Sequence, residues 1–158
     1  VSENLKAAKF LIFKVFNNLH FPIKIAGKNA LKSLQPYITN SKIELVDNPN
    51  LDFMQKLIMD AHINILPTFQ ATGVKLKLIN SIYLGRHCIV NNEMISPTPQ
   101  LLKLCSICNS PGEFINIINE KLKLPFSEED IVARESMLKK YFDDFENSKI
   151  LTKHLFDE

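Results

Sequence analysis

The feature that most constrains the fold of this chain is a regular alternation of short apolar runs with segments of helical periodicity. Each apolar run has the length of a buried strand, about 4–8 residues, and is bounded by residues that favour turns. Buried strands separated by helices are typical of a parallel sheet, because parallel strands need a long crossover connection. The sequence therefore predicts an α/β fold with strands at 23–27, 43–46, 63–66, 87–90 and 101–108.

Helical segments fill the intervals between these strands. Ser2 suits the N-cap of a first helix that extends to about Leu19, and Pro111 suits the first turn of a later helix. The other predicted helices cover 30–34, 51–61, 73–84 and 128–145, and the helix that begins at Pro111 reaches about residue 122. A parallel α/β domain ordinarily begins with a strand, whereas this chain begins with a helix. We therefore expect one three-layer α/β/α domain over residues 1–158 that is truncated before its first strand.

Composition excludes several classes of function. A length of 158 residues, with 46% hydrophobic and 23% charged residues, suits one globular domain with a single core. The net charge of +2 is too small to predict a nucleic-acid surface. No apolar run approaches the roughly 20 residues of a membrane span, and the polar first residues predict no signal peptide. We expect a cytoplasmic domain, and peripheral attachment to the inner face of a membrane through another domain stays open.

The three cysteines do not predict a metal site. Cys105 and Cys108 have the spacing of a zinc-binding pair, but a structural zinc site needs a second pair of ligands. The available candidates, His87 and Cys88, fall within a predicted strand. Buried free thiols are the better interpretation, and we expect neither a metal nor another cofactor.

The segment 66–80 carries the pattern that most indicates ligand binding. In open parallel sheets, ligands bind at the carboxyl ends of the strands, in front of helix amino ends. Here a strand is followed by a polar loop, a glycine and a predicted helix. Thr72 can cap that helix, and Gly73 lets an anion approach the free N–H groups, where the helix dipole favours negative charge. Lys77 and Asn80 would follow Gly73 on one stripe of the helix.

This pattern suits a diphosphate at the helix end, with a cation and an amide beside it. The alternative interpretation is a capped helix whose lysines are only solvated. A glycine followed by lysines is equally consistent with both.

A longer stretch of the chain resembles a known family. Residues 60–90 contain Asp-Ala-His-Ile-Asn-Ile-Leu-Pro-Thr, then Gly-Val-Lys-Leu-Lys-Leu-Ile-Asn, then Leu-Gly-Arg-His-Cys-Ile-Val. This order is similar to the C-terminal, nucleotide-sugar-binding domain of GT-B glycosyltransferases of the group 1, family 4 type. That family has an Ala-Asp-Ile strand, Pro-Ser, a Glu-rich loop with glycine, a helix with Lys and Glu, and a Gly-x-Pro-Val strand. Ile25-Ala26-Gly27 resembles its earlier strand ending in Val-Gly, and the order of elements matches from about Leu5 to Ile107.

The resemblance implies a Rossmann-like domain that binds the donor of a glycosyltransferase in surface polysaccharide or glycolipid biosynthesis. The implied partners are a nucleotide-diphosphate sugar and an amino-terminal acceptor domain of the same protein, without which we expect the chain to be inactive. Together with the strand-end rule, the resemblance selects the following donor-binding residues: Gly27, Lys28, Asn48, Thr68, Gln70, Thr72, Gly73, Val74, Lys77, Asn80 and Asn91.

Three positions depart from the family pattern. Gln70 and Asn80 stand where typical members carry a Glu in the loop and a Glu in the helix, and an amide can bind hydroxyls but cannot act as a carboxylate. No catalytic residue is therefore assigned. His87 replaces the proline of Gly-x-Pro-Val, and we interpret it as a strand residue with a satisfied ring.

Two rival functions follow from the same residues. The amides at Gln70 and Asn80 favour a non-catalytic Rossmann-like module that binds a nucleotide or phosphate. A dehydrogenase-type dinucleotide domain is disfavoured, because the four glycines form no Gly-x-Gly-x-x-Gly.

Overall fold

The computed structural model describes residues 2–70, 73 and 75–142 of the chain. Helices and short strands alternate along these residues, and the α/β class predicted from the sequence is confirmed. In chain order the elements are α1 (Ser2–Lys14), β1 (Ile23–Gly27), α2 (Ala30–Leu34), β2 (Ile43–Asp47), α3 (Leu51–Asp60), β3 (Ile63–Leu66), α4 (Leu76–Leu84), β4 (His87–Val90), α5 (Asn92–Ile95), β5 (Ser106–Ile107), α6 (Pro111–Lys121) and α7 (Glu128–Phe142). Stretches of 3₁₀ helix cover Phe16–Asn18, Gln35–Tyr37 and Pro99–Leu104.

The strands form two parallel sheets. In the first sheet β1 pairs with β2, and Ile23 lies opposite Ile43. In the second sheet β4 lies between β3 and β5, and Ile63 of β3 lies opposite His87 of β4. The predicted parallel arrangement is confirmed, but the described strands form two sheets instead of one, because β1 and β3 do not pair.

Helices cover both faces of β4. Ile89 is fully buried in a cluster with Ile12 of α1 and Phe114 of α6. The neighbouring Cys88 belongs to a second cluster with Leu78 of α4. Because successive side chains of a strand point to opposite faces, α1 and α6 lie on one face of this sheet and α4 lies on the other. These are the three layers expected from the alternation of strands and helices.

Two predicted boundaries are wrong. The first helix ends at Lys14 and not near Leu19, and a 3₁₀ turn follows it. In the segment 101–108, predicted as a strand, the first half is the end of a 3₁₀ turn that begins at Pro99, and only Ser106–Ile107 pairs with β4. Apolar side chains are buried in such a turn just as they are in a strand, so the apolar run alone did not reveal the backbone conformation.

Helix α4 begins at Leu76 and not at Gly73, which is a third correction. Gly73 has a φ of +72°, in the left-handed region, and so cannot belong to a right-handed helix. Lys75 is the N-cap residue, with φ −95° and ψ 85°. Consequently Lys77 and Asn80 lie on the helix, but Gly73 does not share a helical stripe with them.

Two other helices begin at side-chain caps. The Asn50 side chain accepts a hydrogen bond from the Phe53 N–H at 2.8 Å at the start of α3. Ser110 and Glu113 form a reciprocal capping box at the start of α6. No helix in the described part of the chain has both the length and the apolar character needed to cross a membrane.

Candidate functional site

The carboxyl ends of β3 and β4 are joined by Asn91. Its Oδ1 accepts a hydrogen bond from the Thr68 N–H at 3.0 Å, and its Nδ2 donates to the Thr68 carbonyl at 2.6 Å. The same Nδ2 donates to Oε2 of Glu93 at 2.6 Å. Thr68 and Asn91 are only 4% and 5% exposed. Both were predicted as binding residues, and the structure places them beneath the loop that follows β3, where they support it.

Helix α1 anchors this loop from one side. The rings of Phe10 and Phe69 pack edge to face with their centroids 5.5 Å apart. Nζ of Lys6 lies 4.8 Å from the centre of the Phe69 ring. The Gln70 N–H donates to Oγ1 of Thr68 at 3.4 Å, and Gln70 is exposed. The described start of the loop, residues 67–70, therefore lies at the carboxyl edge of the sheet, as predicted.

The first turn of α4 presents Lys77 to α1. Its Nζ donates a hydrogen bond to Oδ1 of Asn4 at 3.0 Å. Burial of the ammonium lowers the pKa of Lys77, the neighbouring charge of Lys75 lowers this pKa further, and the carboxylate of Glu3 opposes both effects. When the pKa of a lysine is lowered in this way, an anion that binds beside it stabilises its charged form.

Glu3 and Asn4, which interact with Lys77, were not selected from the sequence. Oε2 of Glu3 is buried and accepts no hydrogen bond from a described residue. Asn4 is 73 positions away from Lys77 in the chain. Both lie in the first turn of α1, which leaves N–H groups free and carries the positive end of the helix dipole. No local sequence pattern indicates this contact, since only the packing of α1 beside the end of β3 creates it.

The middle of the predicted loop is only partly described. Thr72 and Val74 lie outside the described residues, and the N-cap position of α4 belongs to Lys75 and not to Thr72. A β-carbon at Gly73 would have no neighbour within 4 Å, so the space beside this backbone is open. Asn80 is exposed one turn after Lys77.

Gly27, Lys28 and Asn48 form a separate group at the carboxyl end of the first sheet. Asn48 has a φ of +46°, and its N–H donates to the Gly27 carbonyl at 3.0 Å. Its Oδ1 accepts from the Asn29 N–H at 3.0 Å, and its Nδ2 donates to Oδ2 of Asp47 at 2.7 Å. The Asn48 side chain thus stabilises the turn between the two strand ends, while Lys28 is exposed.

A partly open cavity lies at the opposite, amino end of β4. This cavity of about 120 Å³ is lined by Arg86, His87 and Arg134 among others. Nε2 of His87 lies 3.2 Å from the Leu124 carbonyl oxygen, and Arg134 donates to the Gly85 carbonyl. The prediction that His87 is a strand residue with a satisfied ring is confirmed. Because ligands of parallel sheets bind at the other edge, we interpret this cavity as structural.

The cysteines are free thiols. A hydrogen bond with Cys105, together with burial, raises the pKa of Cys88 well above its usual value. Burial raises the pKa of Cys108 to about 11. Protonated thiols are poor metal ligands. Within the described residues, no three His, Cys, Asp or Glu side chains are grouped as a metal site would require.

At the carboxyl edge of the second sheet, the first turns of α1 and α4 therefore meet at the contact between Asn4 and Lys77, with the carboxylate of Glu3 beside the ammonium. Comparisons with protein-family models, curated proteins and solved structures find no match for this chain.

Proposed function

We propose that this chain is the nucleotide-sugar-binding domain of a glycosyltransferase, with a Rossmann-like fold of the GT-B C-terminal type. One observation carries the proposal: the amino ends of α1 and α4 meet around the half-buried ammonium of Lys77 at the carboxyl edge of the second sheet. Open parallel sheets bind nucleotides at this edge. The resemblance of residues 60–90 to a donor-binding domain favours the same class of ligand.

The donor diphosphate would bind at the first turn of α4. The N–H groups of Leu76 and Lys77 have no acceptor within the helix, and the helix dipole favours an anion in front of them. The Lys77 ammonium adds a charge-assisted hydrogen bond to a phosphate oxygen. A bound phosphate would also favour the charged form of Lys77, whose pKa in the unbound domain is lowered by burial and then by the charge of Lys75, although Glu3 raises it.

The rest of the donor would extend from this position in two directions. Gln70 and Asn80 are exposed, Asn80 one helical turn after Lys77, and both carry amides that can hydrogen-bond the hydroxyls of the sugar or the ribose. The base would lie toward the first sheet, at the turn that contains Gly27, Lys28 and Asn48. In this arrangement Thr68 and Asn91 hold the loop in place and do not contact the donor.

Transfer of the sugar would need groups from outside this chain. The acceptor site and the remaining catalytic groups belong to an amino-terminal domain of the full-length enzyme. That enzyme would act in surface polysaccharide or glycolipid biosynthesis, as a cytoplasmic protein. We assign no catalytic residue here and expect the domain alone to bind the donor without transferring the sugar.

One observation favours a second function. Amides replace carboxylates at Gln70 and Asn80, the two positions at which related domains contact the sugar and the ribose. A non-catalytic module that binds a nucleotide or phosphate would have no need of these carboxylates. The two functions differ in whether the sugar contributes to affinity.

Calorimetric titration separates the two functions. The ligands are uridine, guanosine and adenosine diphosphates, the corresponding nucleotide sugars, the bare nucleosides and inorganic phosphate. A donor-binding domain should prefer one base and should distinguish between sugars on that base. Equal affinity for a nucleoside diphosphate and all its sugar derivatives would favour the binding module. Absence of binding to every diphosphate would contradict both functions.

A further inference from the structure

Strand β1 has one edge without a hydrogen-bonded neighbour, since among the described strands it pairs only with β2. A strand directs its peptide groups alternately to its two sides. The Ile23 N–H and the Gly27 carbonyl both bond toward the β2 side. The peptide groups of Lys24 and Ala26 therefore point to the open side.

Strand β3 is open in the same way. The Val90 carbonyl of β4 bonds toward β5, so the peptide groups of Ile89 point toward β3, where Ile89 lies opposite Ile65. In a parallel pair, a residue bonds with the two residues that flank its opposite partner, which here are Asn64 and Leu66. The N–H and carbonyl of Ile65 therefore point away from β4, to the open side.

Helix α1 packs over the boundary between the two sheets. Toward the second sheet, the Phe10 ring lies 5.5 Å from that of Phe69 and 5.9 Å from that of Phe114. Toward the first sheet, the Phe13 ring lies 5.7 Å from that of Tyr37. Isoleucines of both β1 and β3 belong to the cluster beneath α1. The two open edges thus lie side by side under one helix.

Two elements beside this boundary, β3 and α3, contain no buried residue. Every residue of β3 is only partly buried, whereas every residue of β4 is buried. Helix α3 packs against α4, on the face opposite α1, and has no buried residue. Yet Met54, Leu57 and Ile58 give α3 an apolar stripe. A strand between β1 and β3 would give the apolar stripe of α3 a surface to pack against.

The direction of α1 indicates how such a strand is connected. The first turn of α1 lies at the carboxyl edge, where Asn4 contacts Lys77. The residues that follow its far end lie at the amino edge, where Asn40, just ahead of β2, donates to the Phe16 and Leu19 carbonyls at 3.0 and 3.1 Å. This is the direction of the helix in a β-α-β unit whose second strand is β1. The first strand of that unit would run parallel to β1 and end where α1 begins.

We propose that a strand joined to the amino end of α1 fits between β1 and β3, parallel to both, and unites the two sheets in the order β2-β1-strand-β3-β4-β5. The occupant is an extended segment of the same polypeptide, because covalent continuity with α1 sets both its direction and its position. It would pair with the peptide groups of Ala26 and Ile65. The open strand edges that define this site do not include Lys77 or the ligand proposed there.

The test compares the chain with two fusions made ahead of Ser2. One fusion adds about five Val and Ile residues, the usual length of a strand, followed by a short polar loop with glycine. The matched control replaces two of these residues by Pro, which lacks the N–H that the ladder requires. Residue-resolved amide hydrogen exchange, urea unfolding and light scattering are measured for all three proteins.

In the parent chain, we expect the amides of Ala26 and Ile65 to exchange at least about tenfold faster than those of Ile25 and Leu66, which bond within the sheets. In the Val-Ile fusion both fast amides should slow by about tenfold or more, and the urea midpoint should rise. The Pro control should match the parent.

Two outcomes would overturn the proposal. One is a Val-Ile fusion that slows neither the Ala26 nor the Ile65 amide, or slows both no more than the Pro control does. The other is a dimeric parent chain in which both amides are already protected, because a second copy would then occupy the open edges.

Discussion

Replacing Lys77 by Met separates what this residue contributes to binding from what it costs the fold. Met keeps an unbranched apolar stem and removes the ammonium. A hydrogen bond from a charged group is worth about 1.5–3 kcal/mol, so the variant should bind a nucleoside diphosphate roughly tenfold to a hundredfold more weakly. A nucleoside without phosphates makes no contact with the ammonium, and its affinity should not change.

The same substitution should not lower the free energy of unfolding. Burial, followed by the charge of Lys75, lowers the pKa of Lys77 although Glu3 opposes this. Between the lowered pKa and the ordinary lysine pKa the unfolded chain binds more protons, so stability rises with pH in that window. At neutral pH the ammonium is charged in both the folded and the unfolded chain, so the full free-energy cost of placing this charge in the fold is present. Met removes this cost and loses one hydrogen bond, to Asn4. The urea midpoint should therefore be equal or higher.

The assay is calorimetry at low salt, with urea unfolding in parallel, for three matched variants that each lose one positive charge. Lys77→Met should lose the most affinity. Lys75→Met should lose less, because Lys75 precedes the first turn of α4. Lys56→Met changes an exposed residue of α3 and should bind like the parent. If Lys77→Met binds the diphosphate as well as the parent, or if all three variants lose affinity equally, the site is not built around Lys77.

Two further substitutions test the framework of the site and the pH dependence of the fold. Asn91→Ala leaves the buried N–H and carbonyl of Thr68 without their side-chain partner. The substitution should lower the free energy of unfolding by about 1–3 kcal/mol for each unpaired group, measured by urea unfolding. Equal urea midpoints for Asn91→Ala and the exposed control Asn92→Ala would contradict this role. Backbone N–H donors, that of Asn109 first, hold the pKa of Glu113 below its usual 4.5. The contribution of Glu113 to stability is therefore complete above pH 4.5 and is lost as the pH falls through the lowered pKa. Glu113→Gln should therefore flatten the acid side of the curve of unfolding free energy against pH. Curves of equal slope for parent and variant would refute this.

The strands near the site could be predicted because each is a short apolar run that ends at a residue unfavourable to a strand. Pro67 ends β3, and Gly27 closes β1. The parallel pairing then follows from the helices between the strands. The strand prediction for the segment 101–108 was wrong for most of its length because Leu101 is fully buried within a 3₁₀ turn. The apolar character that predicted a strand is therefore present without strand geometry.

The site itself could be predicted only where it is continuous in the chain. Thr68 and Lys77 lie on one strand-loop-helix segment, so a local pattern indicates both. The predicted start of α4 was wrong because Gly73 adopts a left-handed conformation. Glycine permits this conformation, but the sequence does not require it. Glu3 and Asn4 reach Lys77 only through the path of α1 across the sheets, and periodicity contains no information about that path.

The proposed strand and the proposed ligand site share helix α1, and their coupling can be measured. A strand between β1 and β3 would lead through its loop into the first turn of α1, where Asn4 contacts Lys77. Fixing this turn before the ligand arrives reduces the conformational entropy lost on binding. The ordering of one residue costs about 1 kcal/mol, so the Val-Ile fusion should bind a nucleoside diphosphate about fivefold more tightly than the Pro control.

Lys77→Met should abolish this gain, because the ordered turn acts on the phosphate through the same group of side chains. A gain that persists in Lys77→Met would place the diphosphate elsewhere. Protection of Ala26 and Ile65 without any gain in affinity would mean that the strand forms but leaves the first turn of α1 unchanged. The amide exchange therefore reports on the strand, the affinity reports on the ligand site, and only their joint dependence on Lys77 reports on the coupling.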